Sequence, residues 1–155
     1  MALIDESVLE REIHISARQE IVFSFFTEPE KMVRWKGLRA TLDPRPGGIY
    51  RVDINGRDVA RGEYLEVTPH TRIVFTWGWE GADSPLPPGA STVEVSLIPD
   101  DEGTTVRLRH LGLPNQPLYE LHAVGWDHYL PRLTAVVEGR EAGPDPRATL
   151  ASQHL

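Results

Sequence analysis

The chain has 155 residues, 40% of them hydrophobic and 25% charged, which is enough for one domain with a sizeable core. Its formal net charge of -7 and its scattered basic residues argue against a nucleic-acid or anionic-membrane partner, because both need clustered Lys and Arg. It contains no Cys, which excludes a disulfide framework, a thiolate nucleophile and a cysteine-based zinc site. No segment is apolar and long enough for a membrane span or a signal peptide, so we expect a cytoplasmic protein.

The first part of the chain predicts one strand followed by two short helices. Residues 8–15, VLEREIHI, alternate between apolar and polar side chains, which is typical of a half-buried strand. Ser16 followed by Gln19 matches a capping box and predicts the start of a short helix. The TEPE segment at 27–30 places Pro in a first helical turn and predicts a second short helix that ends near Trp35.

The middle of the chain predicts an antiparallel meander. Apolar alternation between turn signals predicts strands over 38–42, 50–54, 58–67, 72–79, 91–98 and 104–111. The Asn55-Gly56 pair is a strong hairpin signal, and the Pro- and Gly-rich residues 81–90 predict a loop. Consecutive strands joined by such short turns favour antiparallel pairing.

A long helix is predicted over about 117–139, ending at Gly139. The order of one strand, two short helices, several strands and a long helix indicates an α+β domain. One face of its antiparallel sheet would be solvated and the other covered by the last helix. We expect a single domain over 1–142 and a disordered tail over 143–155, which has no apolar period.

Four stretches, in this order, carry a resemblance to a known family. They read IHISARQEIVFSFFTEPEKMVRW, RPGGIYRV, GEYLEVTPHTRIVFTW and HAVGWDHYLPRL, and together they span about residues 9–139. The order resembles the START and birch-pollen-allergen superfamily (SRPBCC), and within it the family named after the activator of the ninety-kilodalton heat-shock chaperone's ATPase. The resemblance implies a helix-grip fold, in which a curved antiparallel sheet of about six strands wraps around the C-terminal helix. It also implies a mostly apolar cavity between sheet and helix, but no uniform chemistry.

Large aromatic side chains fall on the inward-facing phases of the predicted elements. Trp77 and Trp79 share the inward phase of their strand, and Trp126 lies four residues after His122 on one helix face. Rings of this kind fill a core, but they also line binding pockets. The candidate ligand-binding residues are Trp35, Tyr50, Trp77, Trp79, His110, His122, Trp126 and Tyr129. Gly125 costs about 1 kcal/mol against Ala inside a helix, so close approach to a strand or room beside Trp126 should compensate.

Two points stay open at this level. His110 and His122 are either structural histidines bonded to backbone or Tyr, or they share one cavity, where they could orient a polar ligand group or act as acid and base. Arg61 and Glu63 share a strand phase with Val59, Leu65 and Val67. The opposite phase holds Ala60, Gly62 and Tyr64, so the direction of the two charged side chains is unsettled. No cluster of His, Asp and Glu has metal-ligand spacing, and we expect no metal or other cofactor.

Three functions fit this pattern. The first is binding of a small hydrophobic or aromatic molecule in the cavity, with no catalytic residue assigned. The second, implied by the resemblance, is a polyketide cyclase or dehydratase in which the pocket histidines supply acid and base. The third is a co-factor of the heat-shock chaperone's ATPase, as the family name suggests. A homodimer is compatible with all three, although no self-complementary patch stands out.

Overall fold

A computed structural model describes residues 8–147 of the chain. It has seven strands and three helices in the described part. In chain order these are β1 (Leu9–Ile15), α1 (Gln19–Thr27), α2 (Pro29–Met32), β2 (Arg39–Leu42), β3 (Ile49–Asp53), β4 (Val59–Thr68), β5 (Arg72–Trp77), β6 (Ser91–Asp100), β7 (Gly103–Leu111) and α3 (Gln116–Val137). The predicted α+β class, the two short helices and the long C-terminal helix are confirmed.

All the strands belong to one antiparallel sheet in the order β1-β7-β6-β5-β4-β3-β2. It has seven strands, as many as the alternation patterns predict, where the resemblance implied about six. The Asn55-Gly56 pair lies in the β3–β4 hairpin, where Gly56 adopts a φ of 88° that suits a residue without a Cβ. The strands β2 to β7 lie side by side in chain order and form a meander. The first strand, β1, pairs with β7 at the end of that meander.

The predicted capping box at Ser16 is wrong. The N-cap of α1 is Arg18, which makes no side-chain cap hydrogen bond, and the backbone N–H of Ser16 instead donates to Glu138 at 2.8 Å. Ser16 directly follows the last residue of β1, and the helix begins only at Gln19, too late for Ser16 to cap it. By contrast, α3 has a side-chain cap, because Asn115 accepts from the N–H of Leu118 at 3.0 Å.

The direction of β4 side chains, which the sequence left open, is settled by burial. Ala60 and Tyr64 are fully buried, while Arg61 and Glu63 are exposed on the outer face. Arg61 donates to Glu80 at 3.3 Å there. A bulge shifts the β4–β5 register after Tyr64. The pair of charges therefore does not enter the interior, and its burial cost does not arise.

The core lies between the concave face of the sheet and the three helices. Inward residues of β5, β6 and β7 are fully or almost fully buried, and α3 packs closely against β1 and α1. Residues 143–147 return to α3, where Asp145 accepts a hydrogen bond from Tyr129 at 2.9 Å. The rest of the predicted tail lies outside the described residues, so the boundary at 142 stays a prediction.

Candidate functional site

A pocket of about 650 Å³ lies between the N-terminal half of α3 and the ends of β3, β4 and β5. Its inner wall is aromatic, and its mouth is polar. The wall is formed by Lys36, Ile54, Trp77, Trp79, Leu118, His122, Gly125, Trp126 and Tyr129. The mouth is formed by Asn55, Arg57, Asp58, Glu80, Ser84, Pro85, Leu121 and Arg147. This volume lies within the range of small-molecule sites in proteins.

Five of the eight candidate ligand-binding residues line this pocket, namely Trp77, Trp79, His122, Trp126 and Tyr129. The other three lie in the layer behind that wall. Trp35 is buried and donates its indole N–H to the carbonyl of Phe25 at 3.1 Å, while Tyr50 is stacked on Phe75 with ring centroids 4.0 Å apart. His110 is fully buried behind two of the indoles. The eight residues therefore form one region, in two layers.

The residue at the centre of this region is Lys36, which was not among the candidates predicted from the sequence. Its ammonium nitrogen lies 4.2 Å from the ring centroid of Trp77 and 4.3 Å from that of Trp126. The rings of Trp35 and Tyr129 follow at 5.8 and 5.9 Å. We call these four rings the Lys36 cage. Each of the four is a candidate residue that the sequence proposed for other reasons.

The backbone holds Lys36 at this place from two sides. The turn after α2 places the N–H of Lys36 on the carbonyl of Met32 at 3.0 Å. From α3, the guanidinium of Arg132 donates to the carbonyl of Trp35 at 3.1 Å. The Lys36 side chain therefore projects under α3 from a fixed peptide, which makes its position a property of the fold.

Lys36 is 3% exposed, and its nitrogen has no hydrogen-bond partner in the described part of the chain. Burial, with a smaller contribution from the positive charge of Arg147, holds the pKa of Lys36 well below its usual value of 10.5. The faces of Trp77 and Trp126 attract a cation and oppose part of that shift. The indole nitrogen of Trp77 is the other buried side-chain donor without a partner among the described residues. The pocket wall therefore contains two buried donors, on Lys36 and Trp77, that an acceptor on a ligand could satisfy.

His122 is held in one tautomer by its two neighbours. Its Nδ1 lies 2.7 Å from the carbonyl oxygen of Leu118, which can only accept, so Nδ1 carries the proton. Its Nε2 accepts from the indole N–H of Trp79 at 3.0 Å. Burial lowers the pKa of His122, which favours this neutral form. The ring therefore positions Trp79 at the pocket and has no nitrogen left for a ligand.

His110 is fixed in the opposite tautomer. The hydroxyl of Ser91 donates to the carbonyl of Trp77 at 2.8 Å, so it accepts from Nε2 of His110 at 2.9 Å. Nδ1 of His110 accepts from the indole N–H of Trp126 at 3.1 Å. Burial lowers the pKa of His110 to about 2. The ring centroids of His110 and His122 are only 5.0 Å apart, yet all four nitrogens are occupied. An acid–base pair made by these two rings therefore lacks a free nitrogen, and the structural alternative fits the hydrogen bonds.

Charged groups at the mouth are paired with one another. Glu80 accepts from Arg51 at 2.7 Å and from Arg61 at 3.3 Å, and the hydrogen bond from Arg51 holds the pKa of Glu80 below its usual value. On the other side, the Tyr129 hydroxyl donates to Asp145. None of these acidic groups is a hydrogen-bond partner of Lys36. The carboxylates at the rim therefore do not neutralise the amine inside.

The glycine at position 125 of α3 lies beside open space. A Cβ built at this position meets no atom within 4 Å, so no strand approaches the helix closely there. The residue lines the pocket one position before Trp126. Of the two compensations considered from the sequence, room beside the indole is the one that the structure shows. The absent side chain enlarges the pocket.

Lys36 left one sequence signal that the pattern analysis did not use. The chain contains two lysines, Lys31 and Lys36, against fourteen arginines. Lysine is rare in this chain and Lys36 lies in a WKG segment between a short helix and a strand, but no periodicity indicates that its side chain points inward.

Within residues 8–147, no group of three or more His, Cys, Asp or Glu side chains could hold a metal. No helix in that range is long and apolar enough to span a bilayer.

Comparison with known proteins places these features in a family. Residues 16–138 match the model of the family described as activator of Hsp90 ATPase homolog 1-like protein. No curated protein matches the chain. A solution structure of an AHSA1-like protein from Rhizobium etli is 46% identical, covers 90% of this chain and 86% of its own, and superposes with a TM-score of 0.72.

Two further solved structures share the fold at lower identity. DynU16, a protein in the dynemicin biosynthetic locus, is 22% identical and has a TM-score of 0.77. The match covers 90% of this chain and 50% of DynU16. The Aha1 dimer from Colwellia psychrerythraea is 16% identical with a TM-score of 0.73, and the match covers 85% of this chain and 96% of that one.

Proposed function

The chain belongs to the family of activator of Hsp90 ATPase homolog 1-like proteins, and within that family we propose that it binds a small apolar or aromatic molecule in the pocket beside α3. The ligand would insert between the wall of α3 and the ends of β3 to β5. Its apolar body would contact Trp77, Trp79 and Trp126, and a polar acceptor would reach Lys36 at the inner end.

The observation that carries this proposal is the pair of unpartnered donors in the wall. A buried polar group without a partner costs about 1–3 kcal/mol, and Lys36 and Trp77 each carry such a group within residues 8–147. A ligand with one oxygen acceptor at its inner end would remove part of that cost. Flat indole faces beside the same point favour a planar, apolar ligand body.

Binding of N-phenyl-1-naphthylamine tests the proposal. This neutral dye fluoresces in apolar surroundings, and its two aromatic parts suit a pocket of about 650 Å³. We expect saturable binding with one site per chain, together with quenching of tryptophan emission, because Trp77, Trp79 and Trp126 line the pocket. A dye signal that rises linearly without saturation would contradict the proposal.

A matched pair of variants separates the pocket from the rest of the surface. Gly125→Leu places a side chain into the open space, and we expect it to weaken dye binding at least about tenfold, or 1.4 kcal/mol. Val124→Leu changes the neighbouring residue, which is 60% exposed, and should leave binding unchanged. Equal loss in both variants, or in neither, would show that the dye binds elsewhere.

The two other functions make separate predictions. An enzyme of the cyclase or dehydratase kind would need an acid or base other than His110 and His122, since both rings are fully hydrogen-bonded. Action on a chaperone ATPase, assembly as a homodimer and a cytoplasmic location stay predictions. Retention on the immobilised chaperone together with an increased ATPase rate would establish the first of these, and sedimentation analysis would decide the second.

A further inference from the structure

Lys36 differs from every other basic side chain of the pocket. Arg57 and Arg147 lie at the mouth, and a guanidinium stays protonated at any pH a folded protein meets. Lys36 lies at the inner end, 3% exposed, and burial favours its neutral amine. A neutral amine has a free electron pair, and a desolvated lysine in an apolar pocket is an activated nucleophile.

The surroundings of the Lys36 nitrogen suit attack on a carbonyl group. Within residues 8–147 the nitrogen has no hydrogen-bond partner, so no donor occupies its electron pair and no carboxylate holds it protonated. The ring faces of Trp77 and Trp126, at 4.2 and 4.3 Å, would stabilise the positive charge that develops on nitrogen as a C–N bond forms. The unpartnered indole N–H of Trp77 belongs to the same wall and is free to donate to an oxygen.

We propose that Lys36 forms a reversible imine with the carbonyl carbon of an apolar or aromatic aldehyde or ketone bound in the pocket. The nitrogen attacks the carbonyl carbon, the C–N bond forms, and a proton passes from nitrogen to the oxygen to give a carbinolamine. The C–O bond then breaks, and the oxygen leaves as water with both hydrogens that the amine gave up. No electrons are gained or lost overall, and water reaches and leaves the site through the polar mouth.

The second lysine supplies an internal comparison. Lys31 lies on α2, its side chain 35% exposed, and its nitrogen is hydrogen-bonded to Ser24 at 3.0 Å and lies 3.7 Å from Glu28. Apart from the N-terminal amine, these two are the only amines in the chain. A preference for Lys36 can therefore be measured within one molecule, with no variant needed.

This inference rests on the proposed function, because the carbonyl compound must first enter the pocket. The test uses 2-naphthaldehyde with sodium cyanoborohydride, which reduces an imine to a stable amine, followed by peptide mass analysis. We expect the adduct on Lys36 to form at least about tenfold faster than the adduct on Lys31, since each unit of lowered pKa gives about tenfold more neutral amine. Lys36→Met should abolish this adduct, and Lys31→Gln should leave it unchanged.

Failure of the two proposals can be told apart. Saturable binding of N-phenyl-1-naphthylamine with an adduct spread equally over Lys31, Lys36 and the N-terminus would overturn the imine and leave ligand binding intact. Loss of dye binding as well would overturn both. If 2-naphthoic acid binds more tightly than the aldehyde, depends on Lys36, and no Lys36 adduct forms, then Lys36 is an ion-pair anchor and the imine proposal is wrong.

Discussion

The two halves of α3 lie against opposite kinds of interior. From His122 to Tyr129 the helix faces a pocket, and two polar donors near it have no partner among the described residues. From Leu130 to Val136 the inward residues of the same helix, Leu130, Leu133 and Val136, are buried in the hydrophobic core and do not line the pocket. One part of α3 therefore stabilises the fold, and the other part borders polar groups that lack hydrogen bonds.

In this fold, the residues that stabilise the protein and the residues that suit a binding site lie in different parts of the same helix. The packed half gains from burying apolar area, at about 25 cal/mol for each Å² removed from water. The pocket half loses from an unpaired amine, an unpaired indole N–H and a glycine within a helix. Groups that cost stability in a concave site are candidates for function, because nothing in the packing requires them.

Truncation in the packed half should produce the largest loss of stability. Leu133 is fully buried, and Leu133→Ala should lower the free energy of unfolding by about 2–5 kcal/mol through lost burial and a new cavity. Urea denaturation measures this change. Dye binding by the folded variant should stay within about twofold of the parent, because Leu133 does not line the pocket. A variant that folds well but no longer binds the dye would break the division between the halves.

Removing the buried amine should raise the free energy of unfolding instead of lowering it. Lys36→Met keeps the length of the side chain and removes an unpartnered polar atom, so the free energy of unfolding should rise by about 1–3 kcal/mol. Lys31→Gln, on the surface, should change it by less than about 0.5 kcal/mol. If Lys36→Met is instead less stable than the parent, the cage stabilises a cation and the amine is not a cost.

The pocket half should also control the acid response. Burial lowers the pKa of His110 from 6.5 to about 2, so between these values the unfolded chain binds a proton that the folded chain does not. Stability is therefore fully present above pH 6.5 and falls as the pH drops towards 2, by about 1.4 kcal/mol per pH unit. His110→Gln should show a shallower slope by that amount between pH 6 and 4, measured by urea denaturation at each pH. Equal slopes would mean that His110 is not held neutral.

The smallest effect concerns the glycine of the pocket wall. Gly125→Ala should raise the free energy of unfolding by about 1 kcal/mol, because it improves helix propensity and its Cβ meets no atom within 4 Å. Thermal denaturation of this variant beside Gly125→Leu sharpens the picture, since both should fold while only the leucine blocks the dye. Destabilisation by alanine would show that a neighbour approaches Gly125 closely after all.

The fold could be predicted from the sequence because the period of apolar residues shows which side chains are buried. The alternation of Ile73, Phe75 and Trp77 places one side of β5 inside, and the structure buries all three. In β4 the same approach gave no answer, because the inward phase is formed by small residues such as Ala60 and Gly62. The register bulge after Tyr64 further broke the alternation.

The site was open to prediction only in part. The rings of Trp35, Trp77, Trp126 and Tyr129 were found from their phase, yet the group that they surround was not. Lys36 lies in a turn, where no period indicates direction, and its burial depends on Arg132 of α3 binding the neighbouring peptide from far along the chain. The roles of the two histidines likewise depended on hydrogen bonds between distant elements.

The most direct test of the account is the titration of Lys36 in protein labelled with ¹³C and ¹⁵N lysine. The chain has two lysines, so two sets of side-chain signals are expected. The account predicts that the Lys36 set is displaced by the ring currents of Trp77 and Trp126 and titrates with a midpoint well below 10.5. A midpoint at or above 10.5, with no ring-current displacement, would contradict a buried, unpaired amine inside the pocket.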